Sequence, residues 1–195
     1  MADCKPDFLL LPGLMCDDSL WDFMLDDLSK IGTLHFGSLS LGQTVTEMAS
    51  HILRCAPENF FLIGFSLGGY IAREIIILEP WRVSCLALLN TSARATERKE
   101  IERNQINIEI IKRFRFRGLS SNSVKRALHP RHQNNMELTK HIQNMAIRLG
   151  KEVFLRQLGL TRKNGLIQLI KIRCPTLIIT SDKDDLRSLV ESKEL

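Results

Sequence analysis

Residues Asn59 to Glu79, NFFLIGFSLGGYIAREIIILE, decide the fold of this chain. Phe60 to Ile63 are four consecutive apolar residues with high strand propensity, which predicts a short strand buried on both faces. From Leu67 onward the apolar residues recur with helical spacing until Pro80, which cannot continue a helix. The stretch therefore predicts a strand, a tight turn and a helix.

The turn, Gly64-Phe65-Ser66-Leu67-Gly68, has the pattern G-x-S-x-G. A sharp strand-to-helix corner holds its central serine in a strained conformation, and side chains two residues away on either side would collide. The corner presents the hydroxyl at a helix N-terminus, where free amides and the helix dipole stabilise negative charge. The pattern thus predicts a nucleophile elbow. The alternatives are a glycine-rich turn with an uninvolved serine and a dinucleotide-binding turn, although the glycines do not fit G-x-G-x-x-G.

Composition indicates one globular domain. No cluster of His, Cys and Asp has the spacing of metal ligands, and we expect no metal or cofactor. The 195 residues are 44% hydrophobic and 25% charged, which is ordinary for a globular protein. No apolar run reaches the roughly 18 residues of a membrane span, and the N-terminus leads directly into a strand rather than a secretory signal. The five cysteines are scattered and form no C-x-x-C pair, so we expect reduced thiols in a cytoplasmic protein.

Charge is unevenly distributed along the chain, although the net charge is only +5. Residues 91–173 contain 19 basic and 6 acidic side chains, whereas the segments on either side are net negative. The simplest interpretation is a set of solvated helix faces. The alternative is a surface that attracts an anionic or carrier-linked substrate. A nucleic-acid partner is not expected, since the basic residues do not interleave with aromatic residues as in known binding modules.

Strand and helix patterns alternate along most of the chain, which predicts an α/β fold with a mostly parallel sheet covered by helices on both faces. The prediction divides the chain into three parts: residues 1–90 form the N-terminal part of the core, 91–172 a helical cap insertion, and 173–195 a return to the core. The predicted strands are residues 8–11, 33–36, 60–63, 85–89 and 175–180. We expect an amphipathic helix over Leu20 to Leu28, capped by Asp17 or Asp18, and a further helix that begins near Leu186.

Three segments are predicted to meet at one edge of this sheet. Ligands of parallel sheets bind beyond the C-terminal ends of the strands. The loop Pro12 to Cys16, Ser66, and Asp184 each follow a predicted strand at that end. Their convergence predicts a functional site.

Several stretches resemble landmarks of the α/β-hydrolase superfamily, in particular its small bacterial esterase-like members. The stretches are LLPGLMCDDSLW (10–21), GFSLGGYIARE (64–74), LALLNTSAR (86–94) and CPTLIITSDKDD (174–185), with NMAIRLGKEVFLRQ (144–157) similar to the cap of that subgroup. The resemblance covers essentially the whole chain. It is specific for the fold and uninformative about the substrate.

The resemblance implies a role for each motif residue. Ser66 would attack the carbonyl carbon of a carboxylic ester or thioester, and the backbone N–H groups of Leu14 and Leu67 would form the oxyanion hole. Asp184 would be the acid of the triad. Ser181 stands where the superfamily pattern has glycine, and Asp185 is close enough in sequence to be an alternative acid.

The expected catalytic histidine is absent. In this superfamily the triad residues follow the order Ser, Asp, His, but the histidines here are His35, His51, His129, His132 and His141, all before Asp184. The resemblance therefore implies truncation before the last strand, the histidine loop and the final helix. We expect weak or no hydrolysis, an exposed sheet edge at Thr176 to Thr180, and self-association through that edge.

Two other functions stay open from the sequence. In the first, the chain is a non-catalytic fragment or pseudoenzyme that binds acyl ligands. In the second, it uses the same fold for acyl transfer, carbon–carbon bond hydrolysis or cofactor-free haloperoxidation.

Overall fold

A single parallel sheet of five strands forms the centre of the protein. The computed structural model describes residues 5–195, so the predictions for Cys4 and the first residues of the chain lie outside the described residues. All strand pairs are parallel, and the order across the sheet is β2-β1-β3-β4-β5. The strands are β1 (Asp7–Leu11), β2 (Thr33–Phe36), β3 (Phe60–Phe65), β4 (Val83–Leu89) and β5 (Thr176–Ile179).

Seven α-helices and four short 3-10 helices of the described residues accompany the sheet. The α-helices are α1 (Leu25–Ile31), α2 (Val45–Leu53), α3 (Leu67–Leu78), α4 (Arg98–Arg113), α5 (Ser121–Ala127), α6 (Met136–Leu158) and α7 (Leu189–Lys193). The 3-10 helices are Asp18–Met24, Pro80–Arg82, Pro130–His132 and Leu166–Lys171. The predicted α/β class is confirmed, and the five predicted strands are observed with small changes at their ends.

The strand order places a topological switch between β1 and β3. From β1 the chain goes outward to β2 on one side, then crosses back to β3 on the other. Loops that leave adjacent strands at such a point diverge and open a crevice, where parallel sheets bind their ligands. The loop after β1 and the turn after β3 both lie at this switch point.

The main core lies between one sheet face and helices α2 and α3. Leu62 of β3, Met48 of α2 and Ile71 of α3 are among its fully buried members. The prediction that β3 is buried on both faces was partly wrong, because its residues alternate between buried and partly buried. The face that includes Leu62 packs against α2 and α3, whereas Phe61 and Ile63 on the other face keep partial contact with solvent.

The segment between β4 and β5, which the structure describes throughout, consists of helices joined by loops. It contains α4, α5 and α6 and no strand. Helix α6 is broken at Gly150, which has φ of +81° and ψ of 178°. A second small cluster of apolar side chains joins this segment to the loop after β1, through Met15, Ala146 and Val153. The exact limits of the cap, residues 91–172, stay a prediction.

Two predicted helices differ from the observed ones. The predicted amphipathic helix over Leu20 to Leu28 is a 3-10 helix, capped by Asp17, followed by α1, and no residue of α1 is fully buried. The apolar spacing was correct, but only Trp21 found a buried position. The final helix begins at Leu189 instead of Leu186, because Ser188 and Glu191 form a capping box there.

Strand β5 is an edge strand with all four residues exposed, as predicted. Leu177, Ile178 and Ile179 together present an apolar surface along this edge.

Candidate active site

Ser66 occupies a strained corner between β3 and α3. Its φ of 51° and ψ of −110° lie outside the regions that non-glycine residues normally adopt. Its backbone N–H donates to the carbonyl oxygen of Leu89 at 2.9 Å, and its own carbonyl oxygen accepts from the Thr91 hydroxyl at 2.7 Å. Backbone strain of this kind persists only where surrounding contacts hold it, and it concentrates at functional sites.

The two flanking glycines are required by space. A methyl group on Gly64 would lie 2.7 Å from the carbonyl oxygen of Gly68. A methyl group on Gly68 would lie 2.4 Å from the carbonyl oxygen of Leu11, at the end of β1. The first glycine lets the strand meet the helix that follows, and the second lets this helix start directly against β1. The geometry matches the predicted elbow.

The loop Pro12 to Cys16 lies beside the serine. A methyl group on Gly13 would lie 3.5 Å from the Cβ atom of Ser66, so this backbone passes immediately next to the elbow. The loop then turns sharply: the Cys16 N–H donates to the Gly13 carbonyl oxygen at 3.2 Å, and Met15 has φ of 55°. The predicted oxyanion donors, the N–H groups of Leu14 and Leu67, therefore belong to the two segments that flank Ser66.

The segment after β4 connects Ser66 with Asp184. Leu89 and Thr91 hydrogen-bond to the backbone of Ser66, as described above. Between them, the Asn90 side chain donates to Asp184 Oδ2 at 2.8 Å, and the Asn90 backbone N–H donates to Ile179 at the end of β5 at 2.9 Å. Asn90 has φ of 43°, a left-handed conformation that asparagine tolerates better than most residues.

Of the two candidate acids, Asp184 is the one built into the site. Its Oδ1 atom accepts from the backbone N–H groups of Leu186 at 2.7 Å and Arg187 at 3.0 Å, in addition to the Asn90 contact at Oδ2. Asp184 is partly buried, whereas Asp185 is exposed. The geometry favours Asp184 over Asp185 as the acid.

The five histidines all contact other groups. His35 Nε2 lies 2.8 Å from Asp7 Oδ1, and His141 Nε2 lies 2.9 Å from the Ser19 carbonyl oxygen. His51 contacts Arg54, and the rings of His129 and His132 lie 6.3 Å apart in the helical segment. Within residues 5–195, no histidine hydrogen-bonds to Ser66 or Asp184.

Cys16, the last residue of the loop that begins at Pro12, carries a second nucleophilic group close to the elbow in the fold, and its environment disfavours the reactive thiolate. Burial, together with the neighbouring Asp17 carboxylate, raises the pKa of the Cys16 thiol to about 12. A thiol with that pKa is almost entirely protonated near neutral pH, and the protonated form is a poor nucleophile. Cys16 therefore does not compete with Ser66 for a reactive role.

Sequence reasoning predicted roles for Ser66, Leu14, Leu67 and Asp184 but assigned none to the residues that connect these segments in the structure. Asn90 and Thr91 lie in the stretch LALLNTSAR, which pointed to the fold without a role for its polar residues. A polar side chain directly after a buried parallel strand is the signal that could have indicated Asn90. Gln157 lies on a helix more than 140 residues from its loop partner, and no local pattern signals such a contact.

Residues 5–195 offer neither a metal site nor a membrane-spanning helix. No group of three or more His, Cys, Asp and Glu side chains in this part of the chain is arranged to hold a metal ion. No helix there is both long and apolar enough to cross a membrane.

Solved structures of hydrolases share this architecture, and the chain has the α/β-hydrolase fold. A hydrolase from Pseudomonas aeruginosa PA01 superimposes with a TM-score of 0.83 at 17% identity, over 99% of this chain and 78% of that one. An enol-lactonase from Burkholderia xenovorans LB400 gives 0.80 at 16% identity, over 97% and 78%. An alpha/beta hydrolase enzyme from a Medee basin deep-sea metagenome library gives 0.76 at 21% identity, over 100% and 78%. The fold expected from the sequence resemblance is confirmed.

Sequence comparison also finds curated relatives, one of which is an esterase. The chain is 32% identical over 96 residues to the pimeloyl-[acyl-carrier protein] methyl ester esterase of Citrobacter koseri. The match covers 43% of this chain and 36% of that esterase, so the chain matches little more than a third of this relative's length. No protein-family model matches the chain.

Proposed function

We propose that this protein is a serine hydrolase that acts on a carboxylic ester or thioester, with Ser66 as the nucleophile. The observation that carries the proposal is the strained elbow at Ser66, with the loop Pro12 to Cys16 against it and Asp184 tied to the adjacent strand end by Asn90. The curated relative, a methyl ester esterase, and the structural neighbour named as an enol-lactonase support an ester substrate.

In the proposed reaction, Ser66 Oγ forms a bond to the substrate carbonyl carbon, and the carbonyl electron pair moves onto oxygen. The N–H groups of Leu14 and Leu67 donate to that oxyanion; loss of one such donor typically costs about 3–4 kcal/mol of transition-state stabilisation. The carbon–oxygen or carbon–sulfur bond then breaks and the leaving group departs with a proton. Water releases the acyl group from Ser66 and restores the hydroxyl.

The first step needs a base for the serine proton, and this requirement limits the expected rate. A base must lie within about 3 Å of the hydroxyl, and within residues 5–195 four of the five histidine side chains hydrogen-bond to other groups and none to Ser66. We therefore expect impaired turnover from the 195-residue chain. A residual acceleration of about 10³–10⁴ over water is the level that an oxyanion hole and substrate binding provide without a complete triad.

The substrate class follows from charge and from the curated relative. Residues 91–173 are strongly basic, which favours an anionic substrate, and the relative is named for an ester attached to an acyl carrier protein. We propose an anionic or carrier-linked acyl ester as the substrate.

Labelling with a fluorophosphonate probe tests the proposal. We expect slow modification of Ser66, identified by mass spectrometry, that is lost in Ser66→Ala and accelerated by added imidazole, which supplies a base from solution. Ser120→Ala, on the surface of the helical segment, is the matched control and should label like the wild type. Folded protein without labelling at Ser66, with or without imidazole, would contradict a serine hydrolase.

That outcome would favour the second candidate, a non-catalytic relative that binds acyl ligands at the same crevice. The observation in its favour is the engagement of all five histidines with groups other than Ser66 and Asp184. Binding of an acyl carrier protein, or of a short acyl ester, measured by calorimetry would then be retained in Ser66→Ala.

A further inference from the structure

A buried glutamine on α6 holds the loop that lies beside Ser66. The Gln157 side chain is only 4% exposed, although glutamine is usually a surface residue. Its Oε1 atom accepts from the Met15 backbone N–H at 2.8 Å, and its Nε2 atom donates to the Leu39 carbonyl oxygen at 3.1 Å. One side chain thus connects the loop after β1, the segment after β2 and the helical segment.

The partners of Gln157 determine the orientation of its amide. A backbone N–H can only donate and a carbonyl oxygen can only accept, so the Oε1 atom must face Met15 and the Nε2 atom must face Leu39. All three residues are buried. Without Gln157, a buried donor and a buried acceptor would each lose a partner, which is expensive in an environment that excludes water.

Met15 is held in place by its side chain as well as by its backbone N–H. Met15 is fully buried against Ala146 and Val153 of α6. The Met15 N–H that Gln157 binds belongs to the Leu14–Met15 peptide unit, so this hydrogen bond restrains the backbone directly after the Leu14 N–H. The loop conformation therefore depends on contacts with a helix that is remote in sequence.

We propose that Gln157 is a positioning residue that sets the oxyanion hole by fixing the backbone of Leu14 and Met15 against Ser66. The proposal rests on the function proposed above for its catalytic consequence, but its structural part stands separately. It also implies that the oxyanion hole is complete only when α6 is docked on the loop.

Three substitutions separate this role from general damage to the cap. Gln157→Met keeps the volume and removes both hydrogen bonds. Gln157→Glu is the conservative variant, since it keeps an acceptor for Met15 and, when protonated, a donor for Leu39. Arg156→Met is the matched control, because the neighbouring Arg156 hydrogen-bonds to Ser40 and makes no hydrogen bond to the loop Pro12 to Cys16.

Amide hydrogen exchange followed by NMR tests the structural part. In Gln157→Met we expect the Met15 amide to exchange at least about tenfold faster, with amides of β3 and α3 unchanged. Gln157→Glu should retain part of the protection, and Arg156→Met should retain all of it. Wild-type protection of Met15 in Gln157→Met, or the same loss in Arg156→Met, would overturn the proposal.

The catalytic part is measured on the same variants. With a p-nitrophenyl ester, kcat of Gln157→Met should fall about tenfold or more while KM changes little, because an oxyanion donor acts on the transition state. Unchanged kcat despite lost Met15 protection would overturn the link to the oxyanion hole. If wild-type Ser66 proves unreactive, the proposed function fails, and the exchange data still decide whether Gln157 holds the loop.

Discussion

Ser66 keeps an unfavourable backbone conformation because neighbouring groups hold both of its peptide units. A left-handed φ costs a non-glycine residue of order 1–3 kcal/mol unless the surroundings compensate. Here the N–H group is held by Leu89, the last residue of β4, and the carbonyl group by Thr91, two residues further along the chain. Strand β4 therefore supports the elbow as directly as β3, which leads into it.

Gly68→Ala should destabilise the protein by about 1–3 kcal/mol, the usual cost of overpacking, because the added methyl group meets the backbone carbonyls of Leu11 and Pro12. Urea unfolding at neutral pH measures the change. Gly159→Ala is the control. Its φ is −76°, and the nearest atom to the added methyl group would be the Leu155 carbonyl oxygen at 3.4 Å, so the substitution should be neutral or slightly stabilising. Equal stability of wild type and Gly68→Ala would show that the elbow tolerates a wider separation from β1.

The residues that perform the proposed chemistry were predictable from sequence, whereas those that position them were not. Ser66 and its glycines form a local motif in which steric requirements alone determine the residue types. Asn90 and Gln157 act on partners 94 and 142 residues away, so their roles depend on topology and packing that no short pattern encodes. Asp184 lies between these cases. The sequence motif allowed either Asp184 or Asp185 as the acid, and only the hydrogen bonds in the structure favour Asp184.

Helix α6 connects the helical segment to the core along much of its length. Near its middle, Arg148 makes a bidentate contact with Asp17 at 2.8 and 2.9 Å and also donates to Ser19. Near its end, Gln157 binds Met15 and Leu39. The break at Gly150 lies between these two groups of contacts.

Arg148→Met should lower the free energy of unfolding by about 0.5–1 kcal/mol at pH 7, a modest loss because the Arg148 side chain is half exposed. Burial alone would raise the pKa of Asp17, but hydrogen bonds from Arg148 and Ser19 bring this pKa below its ordinary value. The stabilisation is therefore present above the unfolded-state pKa, about 3.9, and is lost as the pH falls through the folded-state pKa.

Urea titrations of wild type and variant at pH 7 and at lower pH provide the measurement, and the difference should shrink as Asp17 becomes protonated. Arg98→Met, which removes an exposed pair with Glu102 on α4, should change stability little at either pH. If Arg148→Met lowered the free energy of unfolding by the same amount at low pH, the effect would come from packing and not from the charge on Asp17.

Strands were easier to predict than helix packing. The buried parallel strands appear as uninterrupted apolar runs, and the five expected strands are present. The helix expected over Leu20 to Leu28 failed in a specific way: apolar spacing indicates which side chains share a face, but it does not show whether a second element covers that face. No other element completely covers the apolar face of α1.

In the whole molecule, the uneven charge distribution allows ion pairs between the basic segment, residues 91–173, and the rest of the chain. Two arginines of the basic segment form pairs with acidic residues outside it: Arg148 with Asp17, and Arg94 with Glu194. The opposite net charges of the segment and its flanks therefore favour their association. These two pairs use part of the basic excess, and the rest is the basis for proposing an anionic substrate.

The exposed edge strand β5 should cause self-association. Its free N–H and carbonyl groups, together with the exposed Leu177 and Ile179, offer a template for pairing with a second chain. Leu177→Lys, which places a charge on the edge, should shift sedimentation at micromolar concentration toward the monomer. Ile106→Lys replaces an equally exposed isoleucine on α4 and should have no such effect. A wild-type chain that sediments only as a monomer would contradict the prediction.

The register between β1 and β3 fixes the position of the loop Pro12 to Cys16 relative to Ser66. Leu11 lies opposite Gly64 in the ladder, so the loop and the elbow leave the sheet side by side from adjacent strands. Deleting one residue from either strand would displace one segment relative to the other by about 3.3 Å, more than a hydrogen bond tolerates. An insertion or deletion inside either of these two strands should therefore abolish the alignment of the loop with the elbow, even where the rest of the fold is retained.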